Sequence, residues 1–289
     1  STYQTPIPPI EPYPVMQPQG VDPPEHKKFR SLLAPLFTPV AVKRMESELR
    51  RRSSGLVQEI ADRGSCDFVR DFSAILPTGM FLYLMGMSEE RLPEFHALSD
   101  VFMRSNDEAV RAANIQQIYA VIEDYLDWRA QHPGDDMGSL LLNARDENGE
   151  PFLRMDVLNC AFLLFVAGLD TVTSTMTYIW RYLAITPEAR HKIAGMLDDR
   201  VKLIAASEEL LRINAVSNIY RRVKHDTTFH GIRMKRNDRV VLDMRRWVRS
   251  ADWARIARPS SSVCRLPFIS ASARPVAASS APAAAAAWL

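Results

Sequence analysis

Phe165-Val166-Ala167-Gly168-Leu169-Asp170-Thr171-Val172 stands in the middle of a mostly apolar run, Val157 to Trp180, and the reading of that run decides the fold. The run is long enough to cross a bilayer, for which about 20 residues suffice. Asn159, Asp170 and several Ser and Thr within it are costly in lipid unless they face protein. The alternative is a buried helix at the centre of a sizeable core. Asp156 provides a cap at its start, and Thr186-Pro187-Glu188 begins a new helix after Ile185, so a long central helix is expected over 156–185.

The composition supports the core reading. A chain of 289 residues that is 47% apolar can fill one large domain or two ordinary ones. With only 11 Gly and long aliphatic runs, a mainly α protein is expected. The first 244 residues carry 29 Lys and Arg against 33 Asp and Glu, so they lack the basic excess that nucleic-acid binding demands. Cys66, Cys160 and Cys264 lie far apart without metal-ligand spacing, and an odd number cannot all pair internally. A reduced, cytoplasmic setting with no bound structural metal is expected. The proline-rich, polar stretch 1–20 lacks the basic-then-apolar pattern of a signal peptide, and no membrane partner is expected.

Working outward, residues 1–21 read as an extended loop, because proline removes backbone donors and fixes φ. Asp22-Pro23-Pro24-Glu25 reads as a helix start, with the helix running to about Leu36. Ala41 to Arg63 has apolar residues at helical spacing and stops at Gly64; Phe68–Met85, Glu89–Arg104 and Glu108–His132 follow as helices. Asp146-Glu147-Asn148-Gly149-Glu150 is a turn. From Phe229 the period changes: Phe229–Met234, a polar turn at Lys235 to Asp238, and Arg239–Leu242 predict a β-hairpin. After Met244 the chain becomes rich in Ala, Ser, Arg and Pro and cannot build a periodic core.

Four constellations could carry chemistry. His26 and Arg30, at i,i+4, project from one helix face and can hold one carboxylate, or else belong to a solvated basic surface with Lys27 and Lys28. At Ala167-Gly168-Leu169-Asp170-Thr171, glycine lets a flat or bulky group approach the backbone, while the acid and hydroxyl could bind water and relay protons at a locally opened turn. The competing reading is a helix kink with Thr171 bonded back to a carbonyl. Glu209 and Arg212 form an i,i+3 pair of a kind common on surfaces. Arg221 precedes the β region and is, taken alone, a surface residue.

Together these strings resemble the cytochrome P450 monooxygenases, above all the soluble bacterial members of the camphor-hydroxylase type. Phe165 to Val172 is similar to the oxygen-activation signature, Asp22 to Arg30 to the helix that grips a haem propionate, and Glu209-Leu210-Leu211-Arg212 to the family's Glu-x-x-Arg. The resemblance covers about residues 11–244 and implies a partial P450 fold there, with 245–289 as a low-complexity or frame-shifted tail. It implies haem as cofactor, held by His26, Arg30 and Arg221 with Gly168 leaving room. Asp170 and Thr171 would be the catalytic proton carriers, Glu209 with Arg212 a structural pair, and Tyr13 a substrate contact. The implied partners are a small apolar organic substrate, O2 and a ferredoxin-type electron donor.

The sequence departs from the family at two places: the helices and strands that family members carry before the proline-rich loop are missing, and so is the cysteine loop. A haem-thiolate enzyme needs a cysteine in a Phe-x-x-Gly-x-x-x-Cys-x-Gly loop, since the thiolate promotes O–O cleavage. Cys264, in Ser262-Val263-Cys264-Arg265-Leu266, lacks those glycines, and Cys66 and Cys160 read as small apolar residues. The expectation is therefore a chain truncated at both ends, of monooxygenase origin but inactive as it stands. A non-catalytic helical remnant or interaction module with weak haem binding is the alternative.

Overall fold

The computed structural model describes residues 16–242. Tyr13, Cys264 and the boundary near Met244 lie outside the described residues.

Nine α-helices and four short strands make up the described chain. In order they are α1 Glu25–Leu33, α2 Pro39–Arg63, α3 Ile75–Met85, α4 Leu92–Arg104, α5 Glu108–Gln131, α6 Met137–Asn143, α7 Arg154–Ile185, α8 Pro187–Ala194 and α9 Arg200–Ile213. The strands β1 Ile219–Arg222, β2 Thr227–Phe229, β3 Ile232–Met234 and β4 Arg239–Leu242 follow. The mainly α class is as the composition indicated. Two compact units divide the described chain after Val172, inside α7.

In the first unit, residues 16–172, α7 is the central element. Its buried positions Val157, Leu158, Cys160, Ala161, Phe162, Phe165 and Leu169 recur at three- and four-residue spacing and form one face. Phe165 meets Phe81 of α3 edge-on at 5.9 Å and Phe95 of α4 at 5.6 Å. Phe162 stacks on Tyr119 of α5 at 4.9 Å, and the Tyr119 hydroxyl donates to Asn159 Oδ1 at 2.7 Å. Each such buried aromatic contributes roughly 1.5–3 kcal/mol relative to exposure. Asn159, costly in lipid, is thus satisfied by protein. Among the described residues α7 is the one helix long and apolar enough to cross a membrane, and half of its most apolar window is buried.

Several element ends differ from the sequence reading. Asp22 does not cap α1, whose N-cap is Pro24 without a side-chain bond. α2 starts at Pro39 because Thr38 accepts from Ala41 N and proline suits the first turn. Phe68–Met85 is interrupted by a π-turn at Val69–Ser73 before α3. The short α6, capped by Asp136 through Ser139 N at 2.9 Å, lies between the helix ending near His132 and the turn at Asp146, where the sequence pattern marks no element. Asp156 lies within the first turn of α7 rather than at its cap.

In the second unit, residues 173–242, the end of α7 leads into α8, α9 and the strands. The predicted hairpin is wrong in its pairing. β4 pairs antiparallel with β1, while β2 pairs with β3. His230 and Gly231 both take positive φ, 47° and 80°, which is the two-residue turn matching strand twist. The chain therefore reverses there and not only at Lys235–Asp238.

Candidate functional site

Gly168, Asp170 and Thr171 lie on α7 near the end of its core-packed half. The helix is continuous through them, so the locally opened turn expected from the sequence is absent. Thr171 instead donates its hydroxyl to the Ala167 carbonyl at 2.6 Å, the back-bonded arrangement. An exposed threonine in a helix can satisfy its hydroxyl this way without breaking the turn.

Around this point α7 presents small residues outward. Ala167 and Thr171 are exposed and Gly168 is half-buried. A Cβ added at Gly168 would meet only Phe81 Cδ2, at an ordinary 3.7 Å. Nothing in the packing of the described residues demands glycine there.

Asp170 is turned the other way. Its side chain is 19% exposed and its Oδ1 lies 3.9 Å from Arg104 Nη2, at the end of α4. Arg104 also pairs with Asp100 one turn earlier. The Asp100–Arg104 spacing is visible in the sequence as an i,i+4 pair, but nothing there signals that Arg104 reaches across to Asp170.

His26 and Arg30 share a face of α1, as their spacing dictates. His26 is half-buried and Arg30 exposed, with no ion pair to Arg30 among the described residues. Their neighbour Phe29 points into the core that also holds Phe165, so α1 and α7 are anchored in the same packing. Lys27, by contrast, pairs with Glu147, and Lys28 lies 5.1 Å over the Phe152 ring.

Glu209 and Arg212 form a two-pronged ion pair on α9, with Nε donating at 2.6 Å and Nη2 at 2.7 Å. Glu209 is buried, and its hydrogen bonds raise the pKa of Arg212. This is no ordinary surface pair. Arg221, on β1 of the second unit, is half-buried and engaged.

Among the described residues no cluster of three or more His, Cys, Asp or Glu could hold a metal ion. Cys160 is fully buried, and burial, with Asp156 adding, pushes its thiol up to about 12. A thiol so placed stays neutral and is a poor metal ligand. Cys66 is exposed just beyond α2. The open strip on α7 and the uncompensated Arg30 fit a flat, dianionic macrocycle such as haem; neither described cysteine fits its axial ligand.

The sequence matches the family profile of cytochrome P450 over residues 74–251. This chain belongs to the cytochrome P450 family. It is 31% identical, over 231 residues, to a probable cytochrome P450 127A1 of Sinorhizobium fredii, covering 80% of this chain and 54% of that one. Similarity to a vitamin D(3) 25-hydroxylase of Pseudonocardia autotrophica is 26%, covering 81% and 58%. Among solved structures, cytochrome P450 CYP268A2 of Mycobacterium marinum, in complex with pseudoionone, superposes with a TM-score of 0.69 at 28% identity, covering 78% of this chain and 57% of that one. CYP109Q5 of Chondromyces apiculatus gives 0.68 at 28%, covering 78% and 57%. The chain thus spans little more than half the length of these relatives. Family membership implies haem as the cofactor and monooxygenation as the family's chemistry.

Proposed function

We propose that this P450 chain derives from a soluble, cytoplasmic haem monooxygenase that inserts one atom of O2 into a small apolar organic substrate, with electrons from a ferredoxin-type donor. The observation that carries the proposal is the strip Ala167-Gly168-Thr171 on α7, with Ala167 and Thr171 exposed, Gly168 half-buried and Asp170 beside them. When bound through a cysteine thiolate, haem supplies the redox chemistry that splits O2.

The chain's own residues have separable tasks in this reading. Gly168, which carries no side chain, and the small Ala167 would leave room for the macrocycle to approach α7. Arg30 and His26 would hold one propionate, the guanidinium being suited to two-point binding of a carboxylate. Arg221, in the other unit, is assigned to the second propionate by the family resemblance alone. Asp170 takes up a proton from solvent once its carboxylate leaves Arg104, and passes it through water toward the Thr171 hydroxyl. The Thr171 hydroxyl donates to the Ala167 carbonyl and lies one residue from Asp170 on the same helix. Glu209 and Arg212 keep α9 in place and touch no reacting group. Tyr13, outside the described residues, is assigned to substrate contact by resemblance alone.

A second reading is favoured by the cysteines. Cys160 is a neutral core thiol, and Cys264 stands in a segment without the family's loop glycines. The polypeptide as it stands would then be an inactive remnant, with 245–289 a frame-shifted tail after a P450 domain over 1–244. A carbon-monoxide difference spectrum of the reduced, haem-titrated protein separates the two readings. No thiolate-type band is expected from this chain; such a band would overturn the assignment of inactivity. Translation of the gene in its other two frames tests the tail, which is not a frame shift unless a Phe-x-x-Gly-x-x-x-Cys-x-Gly loop emerges downstream.

A further inference from the structure

The charge of this chain is unevenly placed. Residues 219–242 carry seven Lys and Arg against two acids, whereas residues 1–218 carry 22 against 30. The β region is thus a basic island on an acidic protein. Its two acids are already committed: Asp226 Oδ1 accepts from Arg236 N at 2.8 Å, and Asp238 Oδ2 accepts from Lys235 N at 2.7 Å. Both bonds fix turn backbone and leave the cationic side chains outward.

The same turns gather those cations. Val223 N donates to Asp238 O at 2.9 Å and Asn237 N to Val223 O at 2.8 Å, which lays residues 222–226 against 235–239. Lys224, Lys235, Arg236 and Arg239 are all exposed there, and the register sets Arg222 directly opposite Arg239. Arg233, also exposed, extends the charge along β3. None of the five exposed cations has an ion pair among the described residues.

From this base the β2–β3 hairpin projects a tip of a different kind. Phe229 and Ile232 are cross-strand partners flanking the His230-Gly231 turn, and they are 44% and 39% exposed. By strand alternation they share a face with Met234, which is buried, so the apolar face runs from the interior out to the tip. Strands of three residues put the tip only about 10 Å from the basic turns. An apolar tip within one such span of a cluster of cations suits a surface that is anionic outside and apolar beneath.

We propose that the β2–β3 hairpin with its basic turns is a peripheral contact for an anionic phospholipid surface. Phe229 and Ile232 enter the headgroup boundary, while Lys224, Lys235, Arg236 and Arg239 meet lipid phosphates. A nucleic acid would use the same cations but gains little from Ile232, and the Phe229 ring is already met edge-on by His230 at 4.5 Å. This is attachment to a surface, not a span, and does not depend on the catalytic reading.

The test is co-sedimentation of the 289-residue protein with phosphatidylcholine vesicles, with and without about one-third phosphatidylglycerol. Binding only to the anionic vesicles, weakened by salt, is expected. Since the seven arginines after Met244 can also attract anionic lipid, the variants decide. Combined Lys224→Glu, Lys235→Glu and Arg236→Glu should lower the partition coefficient about 100-fold, at roughly fivefold per cation. Phe229→Ser with Ile232→Ser should lower it about tenfold with the helical circular dichroism unchanged. Binding that ignores both sets of changes, equal binding to uncharged vesicles, or hairpin-dependent binding to a DNA duplex without vesicle binding would each overturn the proposal.

Discussion

Thr171 shows how far a single residue can be read in advance. Its place in a helix beside Asp170 was legible, as was the choice between an opened turn and a back-bonded hydroxyl. The outcome is a bond to Ala167 at 2.6 Å in an unbroken helix, a choice that residue spacing alone leaves open because both arrangements fit the same sequence. Because the hydroxyl is exposed and its bond local, it contributes little to stability. Thr171→Val should change unfolding free energy by no more than about 0.5 kcal/mol in urea denaturation. A loss well beyond that would mean Thr171 is a structural residue, weakening its assignment to proton delivery. Asp170 is the opposite case. Its partner Arg104 is remote in sequence, and only the packing of α4 against the core brings them together.

At the scale of elements, the sequence located most helices because apolar periodicity and caps are local. α6 escaped because seven residues between two loops are too few to show a period. What fixes it is a buried polar node. Arg129 of α5 donates to the Gly86 carbonyl at 2.7 Å and to His132 O at 2.9 Å, and pairs with Asp136 at 3.0 Å. The Tyr125 hydroxyl meets the Met85 carbonyl beside it. Gly86 has φ of 68°, and a side chain there would collide with Arg129 and Asp136. This node ties the ends of α3 and α5 to the start of α6. Both charged side chains are about one-tenth exposed, so removing one strands the other in a poorly solvated place. Asp136→Ala should therefore cost about 3 kcal/mol or more, read from the urea midpoint. Glu46→Ala, which breaks an exposed pair with Arg50 on α2, should cost under about 1 kcal/mol. Equal costs would contradict the node. The hairpin was mispaired for a related reason: two candidate turns, His230-Gly231 and Lys235–Asp238, lie close together, and strand partners are chosen by contacts outside the window.

For the whole molecule, family and mainly helical class were legible because three motifs occur in the right order along one chain. The site was legible in part. The positions of His26, Arg30, Gly168, Asp170 and Thr171 follow from motif spacing, whereas the openness of the α7 strip and the pairing of Asp170 do not. In the proposed function, the α7 strip at Gly168 together with His26 and Arg30 on α1 forms the haem-binding surface. Haem titration followed by Soret absorbance, on the protein as it stands and on Arg30→Ala, tests it most directly. Loss of one charge-assisted bond to a carboxylate should weaken binding about tenfold. Saturable haem binding in the parent with that weakening in Arg30→Ala is the predicted result; no saturable binding, or equal affinity in both proteins, would contradict it.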